Sequence, residues 1–180
     1  GGFESPTMSF DSTTLTNAGS FDMFIVKYDA AGNALWAKNE GGANYDEAAS
    51  VAVDASGEII VAGQFYSPTI VFDTTTLINT NVSSYDMFIV KYDASGNVLW
   101  AKSGGGTGYD NATSIVSDPS GNVILAGRFD SPSMVFGSTT LTNASSSYDM
   151  FLVKYDAAGN VIWAKSAGTT DYDDATSVTV

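Results

Sequence analysis

The sequence predicts an all-β fold, a β-propeller-like repeat array of tandem four-stranded antiparallel blades. Three observations carry this. One unit is written three times along the 180 residues. Apolar side chains in each unit alternate with a period of two, and hairpin-type turn signals separate the alternating runs.

The repetition is direct. Asp22–Lys38 reads DMFIVKYDAAGNALWAK, Asp86–Lys102 reads DMFIVKYDASGNVLWAK and Asp149–Lys165 reads DMFLVKYDAAGNVIWAK, the starts lying 64 and then 63 residues apart. Between them, GGFESPTMSFDSTTLTN from Gly1 matches GQFYSPTIVFDTTTLIN from Gly63 and GRFDSPSMVFGSTTLTN from Gly127. A period of this size marks an array of supersecondary units, each unable to bury its own faces alone. Length varies in one place only: Leu15 to Asp22, Leu77 to Asp86 and Leu141 to Asp149 span 7, 9 and 8 steps. That Ser-, Asn- and Gly-rich stretch is therefore a surface loop.

Taken in order, the elements of one unit are strands near 22–29, 33–38, 48–54 and 58–65, with a shorter pair near 68–72 and 75–79. In the first of these, Phe24, Val26 and Tyr28 fall on one face and Met23, Ile25 and Lys27 on the other. No helical stripe is present. The turns Asp29-Gly32-Asn33, Asp93-Gly96-Asn97, Asp118-Gly121-Asn122 and Asp156-Gly159-Asn160 each place an Asp where it bonds its own backbone and a Gly where φ is positive, which makes antiparallel hairpins. One indole per unit, Trp36, Trp100 and Trp163, is expected to be largely buried as the filling of each blade. A β-solenoid is the alternative architecture, although its coils are shorter, parallel and without two hairpin turns per repeat. The units run over about 1–62, 63–126 and 127–180, and the chain is expected to start and end mid-blade, as a segment of a larger propeller or assembly.

Composition removes most chemistry. Seven basic against 20 acidic side chains give a net charge of −13 that repels phosphate, so no nucleic-acid partner is expected. There is no Cys and no His, hence no disulfide, thiolate, zinc site or imidazole triad. No apolar run approaches the ~18 residues of a membrane-spanning helix, and no membrane insertion is expected. Asp22, Asp86 and Asp149 recur in every unit, as a turn or cap requires, whereas an active site is unique; no catalytic residue and no enzymatic activity are expected.

Metal sites are not expected either. The turns carry one Asp and one Asn four residues apart, not the alternating oxygen ligands of a calcium loop, and Asp171-Tyr172-Asp173-Asp174 reads as a solvated acidic loop. No cofactor follows. The lysines Lys27, Lys38, Lys91, Lys102, Lys154 and Lys165 occupy two slots per unit and read as outward-facing residues that discourage stray edge pairing. Tyr45, Tyr109 and Tyr172 sit in Gly-rich loops as candidate exposed rings, the basis of an alternative reading as a glycan-binding module, calcium-assisted or not. Asn81-Val82-Ser83, Asn111-Ala112-Thr113 and Asn143-Ala144-Ser145 match the N-glycosylation pattern.

The combination Gly-x-Phe, Asp-x-Phe-(Ile/Leu)-Val-Lys-Tyr-Asp-x-x-Gly-Asn-x-(Leu/Ile)-Trp-Ala-Lys, Tyr-Asp-x-Ala-x-Ser-(Val/Ile) and Asp-x-Ser-Gly-(Glu/Asn)-(Ile/Val)-Ile-(Val/Leu)-Ala-Gly resembles the SBBP family, the bacterial β-propeller repeat, over essentially the whole chain. The resemblance implies a propeller-like fold within a large secreted or cell-surface bacterial protein, with no enzymatic activity in the repeat. The expected role is a non-enzymatic scaffold, adhesive or fibre-forming through protein–protein contacts. Its expected partners are other repeats of the same protein, or neighbouring copies by strand complementation, with surface glycans as the alternative.

Overall fold

A computed structural model describes residues 1–180 as strands and turns. The first blade contains β1 (Gly2–Phe3), β4 (Asp22–Tyr28) and β5 (Ala34–Glu40), with β2 (Thr7–Phe10) and β3 (Thr13–Thr16) forming a side hairpin. In the second, β6 (Asp46–Val53), β7 (Ile59–Phe65), β10 (Asp86–Tyr92) and β11 (Val98–Gly104) are ordered β11-β10-β7-β6, with side hairpin β8 (Thr69–Phe72) and β9 (Thr75–Ile78). The third repeats this with β12 (Asp110–Ser117), β13 (Val123–Phe129), β16 (Asp149–Tyr155) and β17 (Val161–Ala167), and side hairpin β14 (Ser133–Phe136) and β15 (Thr139–Thr142). Every pairing in these sheets is antiparallel. The chain is an all-β, propeller-like array of tandem antiparallel blades.

Turn chemistry explains the hairpins atom by atom. Asp29 Oδ1 accepts from the Ala31 and Asn33 amides at 2.8 and 2.9 Å, and Oδ2 accepts from Asn33 Nδ2 at 2.8 Å. Gly32 takes φ 86°, which a side chain would resist. The same bonds recur at Asp93, Asp118 and Asp156.

The core lies between blades, not within them. Successive residues of β7 and β10 point to opposite faces, so Ile59, Val61, Phe88, Val90 and Tyr92 pack toward Met23 of the first blade. From the same strands, Ile60, Ala62, Met87 and Ile89 pack toward Leu125, Phe151 and Val153 of the third. A blade is thus a sheet with two apolar faces, and only a neighbour on each side buries both.

This arrangement corrects two expectations. Trp36, Trp100 and Trp163 are half-buried and do not fill blade interiors. All three sit on the outermost strands, and the first two reach across to the next blade, where Trp36 Nε1 donates to Ala94 O at 3.2 Å and Trp100 Nε1 to Ala157 O at 3.1 Å. A two-faced sheet leaves no interior for the indole, so the ring serves as a strut lying over the neighbouring Gly96 and Gly159 turns.

The lysines also divide. Lys102 and Lys165 are exposed on outer strands, but Lys91 is 1% exposed, its ammonium 3.0 Å from Asp54 and 2.7 Å from Glu58. Lys154 likewise pairs with Asp118 at 2.8 Å, and Lys27 donates to Ala94 O at 2.8 Å. Lys91 and Lys154 thus hold the inner hairpin turn of their own blade and Lys27 the outer hairpin turn of the next, so the lysines of this slot anchor turns and do not guard an edge. Guarding falls instead to the side hairpins, where Asp11 and Asp73, at φ 49° and 51°, accept from the Ala34 and Val98 amides of the outer strands at 2.6 and 2.9 Å.

Candidate interaction surfaces

The second blade shows what a fully partnered blade looks like: every residue of β10 is buried. The equivalent first-blade strand is not. Tyr28 is 49% exposed where Tyr92 is 0% and Tyr155 is 2%. Strand β4 pairs with β1 only at Met23 and Asp22, so its edge from Ile25 onward lines an apolar groove of about 580 Å³ whose far wall is Ala48–Val51 of β6. On the third blade, Met150, Leu152 and Lys154 are half-buried on the face turned away from the second.

Adjacent blades are also stitched along their inner strands. Ser50 Oγ accepts from the Ile115 amide at 3.2 Å, and Ser114 Oγ accepts from the Val178 amide at 3.2 Å. Residues Asp173–Val180, reading DDATSVTV against DEAASVAV in β6, therefore lie beside β12 in the inner-strand position, with Thr113 Oγ1 donating to Ala175 O. They form no ladder of their own.

One rim of the array carries a repeated carboxylate network. Asp110 Oδ2 accepts from Ser131 Oγ at 2.6 Å and from the Gly106 amide at 2.8 Å, as Asp46 does from Ser67 Oγ and Gly42, both at 2.7 Å. Beside it, Asp86 Oδ2 accepts from the Thr80 amide at 2.8 Å while Oδ1 has no partner. A Cβ on Gly105 would stand 2.2 Å from that oxygen, which accounts for glycine there and for Gly41 and Gly168 in the other repeats. Burial, offset by the Ser131 bonds and reinforced by Asp86, pushes the Asp110 carboxyl up to about 7; burial also raises Glu40 to about 7.

These shifts have a definite sign. A carboxyl whose folded pKa is raised contributes stability that is fully present below its unfolded pKa near 4 and is lost as pH rises through about 7. The denaturant midpoint should therefore fall between about pH 4 and about pH 7, and the slope should flatten in an Asp110→Asn, Glu40→Gln protein. An unchanged slope in that double variant would refute the assignment.

Along the same rim runs an arc of rings. Phe21 stacks on Tyr45 at 4.3 Å between centroids; Tyr45 meets Tyr85 edge-on at 6.1 Å; Tyr85 meets Tyr66 at 5.0 Å and Tyr109 at 5.7 Å; and Tyr148 meets Tyr172 at 5.3 Å. Backbone bonds hold the ring-bearing loops, since the Asp46, Asp110 and Asp173 amides donate to Phe21, Tyr85 and Tyr148 carbonyls, each at 2.8 Å. Of the three loop tyrosines singled out above, Tyr109 and Tyr172 are exposed and Tyr45 is half-buried under Phe21. Sequence reasoning missed Phe21, Tyr66, Tyr85 and Tyr148, which lie far from these loops in the chain; their shared place just outside strand ends was the available signal.

The acidic stretch is partly engaged. Asp173 accepts from the Thr169 amide at 2.9 Å and Asp174 pairs with Arg128 at 3.1 Å. In the Asp-x-x-Gly-Asn turns the carboxylates are taken up by their own loop amides. Adding a chelator should accordingly leave the thermal midpoint unchanged, and a large drop would reveal a structural cation. At two glycosylation patterns the amide nitrogen is already committed, Asn81 Nδ2 to Thr107 O at 2.7 Å and Asn143 Nδ2 to Phe129 O and Ser147 O at 2.9 and 2.8 Å.

No family model matches the chain. It is 34% identical over 163 residues to an uncharacterized WD repeat-containing protein of Acanthamoeba polyphaga mimivirus, covering 85% of this chain and 12% of that protein. It is 29% identical over 167 residues to the regulatory protein FlaEY of Caulobacter vibrioides, covering 90% of this chain and 17% of that one. The chain thus spans less than a fifth of the length of either relative, and its likeness to a WD repeat-containing protein agrees with the propeller-like array described above.

Proposed function

We propose that the chain is a non-enzymatic repeat scaffold that works through protein–protein contacts on its open blade faces, its partners being further repeats of the same kind, in the same protein or in a neighbouring copy. One observation carries this reading: equivalent residues are buried in the second blade and bare in the first, Tyr92 at 0% against Tyr28 at 49%. The molecule therefore contains its own template for what covers the bare face. The groove beside β4 matches the place of an inner strand and the hairpin partner that follows it, and a strand entering there would pair with the open β4 edge. Head-to-tail docking that does not close gives a fibre; docking that closes gives a ring.

The resemblance to the SBBP repeat, and a charge of −13 that discourages random association, favour a cell-surface or extracellular setting for such a scaffold. Sedimentation of the 180-residue chain over a wide concentration range tests the proposal. Oligomers are expected, dispersed by Val26→Glu with Tyr28→Asp, and competed by a synthetic hairpin spanning Asp110–Ala126. A chain that stays monomeric at every concentration and ignores the hairpin overturns it.

A further inference from the structure

The tyrosine rim is separate from the blade faces, and in its third-blade part the chain's own cation already lies against the rings. Arg128 projects from β13 with its guanidinium carbon 5.1 Å from the Tyr148 ring centroid and 5.5 Å from that of Tyr172. Its Nη1 donates to Tyr172 OH and to Asp174 Oδ2, the latter at 3.1 Å. This is a cation held against two tyrosine rings and a carboxylate.

The repeat places Gln64 and Gly2 at the positions equivalent to Arg128. In the first blade the slot is closed, because Phe21 lies over Gly2, where a Cβ would meet its ring at 2.0 Å, and stacks on Tyr45. In the second blade the rings are present, the cation is not, and Asn111 stands where the third blade has Asp174, the nearby carboxylate being that of Glu47 on the adjacent strand. Tyr85 and Tyr109 stand 5.7 Å apart, close to the 5.3 Å of Tyr148 and Tyr172, and Gln64 turns aside to donate to Glu47 at 3.0 Å. Tyr45 and Tyr66 add two more rings around Tyr85.

We infer that the Tyr45, Tyr66, Tyr85 and Tyr109 cluster, with Glu47 as counter-ion, receives an arginine side chain from a basic segment of a partner protein. Three features support arginine over a sugar. The rings meet edge-to-face and tilted, which leaves no open platform of coplanar faces for a pyranose. The chain's own occupant of the equivalent slot is a guanidinium. The net charge of −13 draws basic segments in.

The test is calorimetric titration of the full chain with a peptide of Arg-Gly-Ser repeats, against the same peptide carrying citrulline in place of arginine. Binding of the arginine peptide alone is expected, weakened about tenfold by Tyr85→Leu. Gln64→Arg is the decisive variant, for it places the chain's own guanidinium in the slot and should abolish binding. It changes the net charge by only one, so Ser56→Arg on the opposite rim, with the same charge change, should bind as the wild type does. Equal binding by wild type, Gln64→Arg and Ser56→Arg would show charge attraction without a site and overturn the inference. Binding of cellohexaose with no response to the arginine peptide would overturn it in favour of a sugar platform. Neither outcome bears on self-association through the blade faces, which sedimentation reads independently.

Discussion

Tyr92→Ala should destabilise the protein by about 3–5 kcal/mol, while the same change at the equivalent Tyr28, at a concentration low enough to keep the chain monomeric, should cost less than about 1 kcal/mol. The side chains are identical and occupy the same register of β10 and β4. What differs is the neighbour. Tyr92 is 0% exposed, packed among Ile59, Val61 and Val90 with Trp36 of the adjacent blade 6.5 Å away, and its removal leaves a cavity that two rigid sheets cannot close. Tyr28 has no blade on its side. Urea denaturation of the two variants decides the matter, and equal losses would mean that burial comes from within each blade after all. A companion change separates ring from hydroxyl. Tyr92 OH is buried without a partner, so Tyr92→Phe should be neutral or stabilise by about 1 kcal/mol.

Lys91→Met is expected to have an effect of similar size, about 3–5 kcal/mol, through charge and not volume. Lys91 lies between Asp54 and Glu58, and the side chains of Lys91 and Asp54 are 1% and 2% exposed. Burial alone would pull the Lys91 pKa down, but the hydrogen bonds its ammonium donates to Glu58 and Asp54 outweigh it and hold the pKa above the ordinary lysine value. Removing the ammonium strands a buried carboxylate that also organises its turn, since Asp54 Oδ1 accepts from the Ser56 and Glu58 amides at 2.9 and 3.0 Å. Lys27→Met, in the same slot of the first blade, removes only a bond to Ala94 O and should cost less than about 1 kcal/mol. If the two variants melt alike, the buried triad contributes nothing and this account of Lys91 fails.

The contrast between equivalent residues marks the limit of what the sequence could say. The DMFIVKY heptads of the first and second repeats are the same seven letters, yet Asp22–Tyr28 is partly open and Asp86–Tyr92 wholly buried. Strand positions, hairpin turns and repeat number were legible because they depend on local rules: period-two alternation, the Asp side chain bonding amides two and four residues on, and glycine at positive φ. Each of those acts within a few residues, so the letters suffice.

Contacts across blades are another matter. Trp36 was readable as a conserved-register aromatic within the chain's own repeats but not as a strut onto Gly96, because its partner lies 60 residues away in another sheet. Lys91 and Lys102 share the look of surface lysines, and only the packing of one sheet on the next decides that the first is buried and the second exposed. The ring of tyrosines belongs to the same class. By itself the sequence determined that this protein is a threefold-repeated, all-β array with hairpin blades, since short-range backbone chemistry dictates those features. Which faces are covered, which charges are buried and which rings meet on one rim were decided by the tertiary structure alone, because burial is a property of the neighbour and not of the residue.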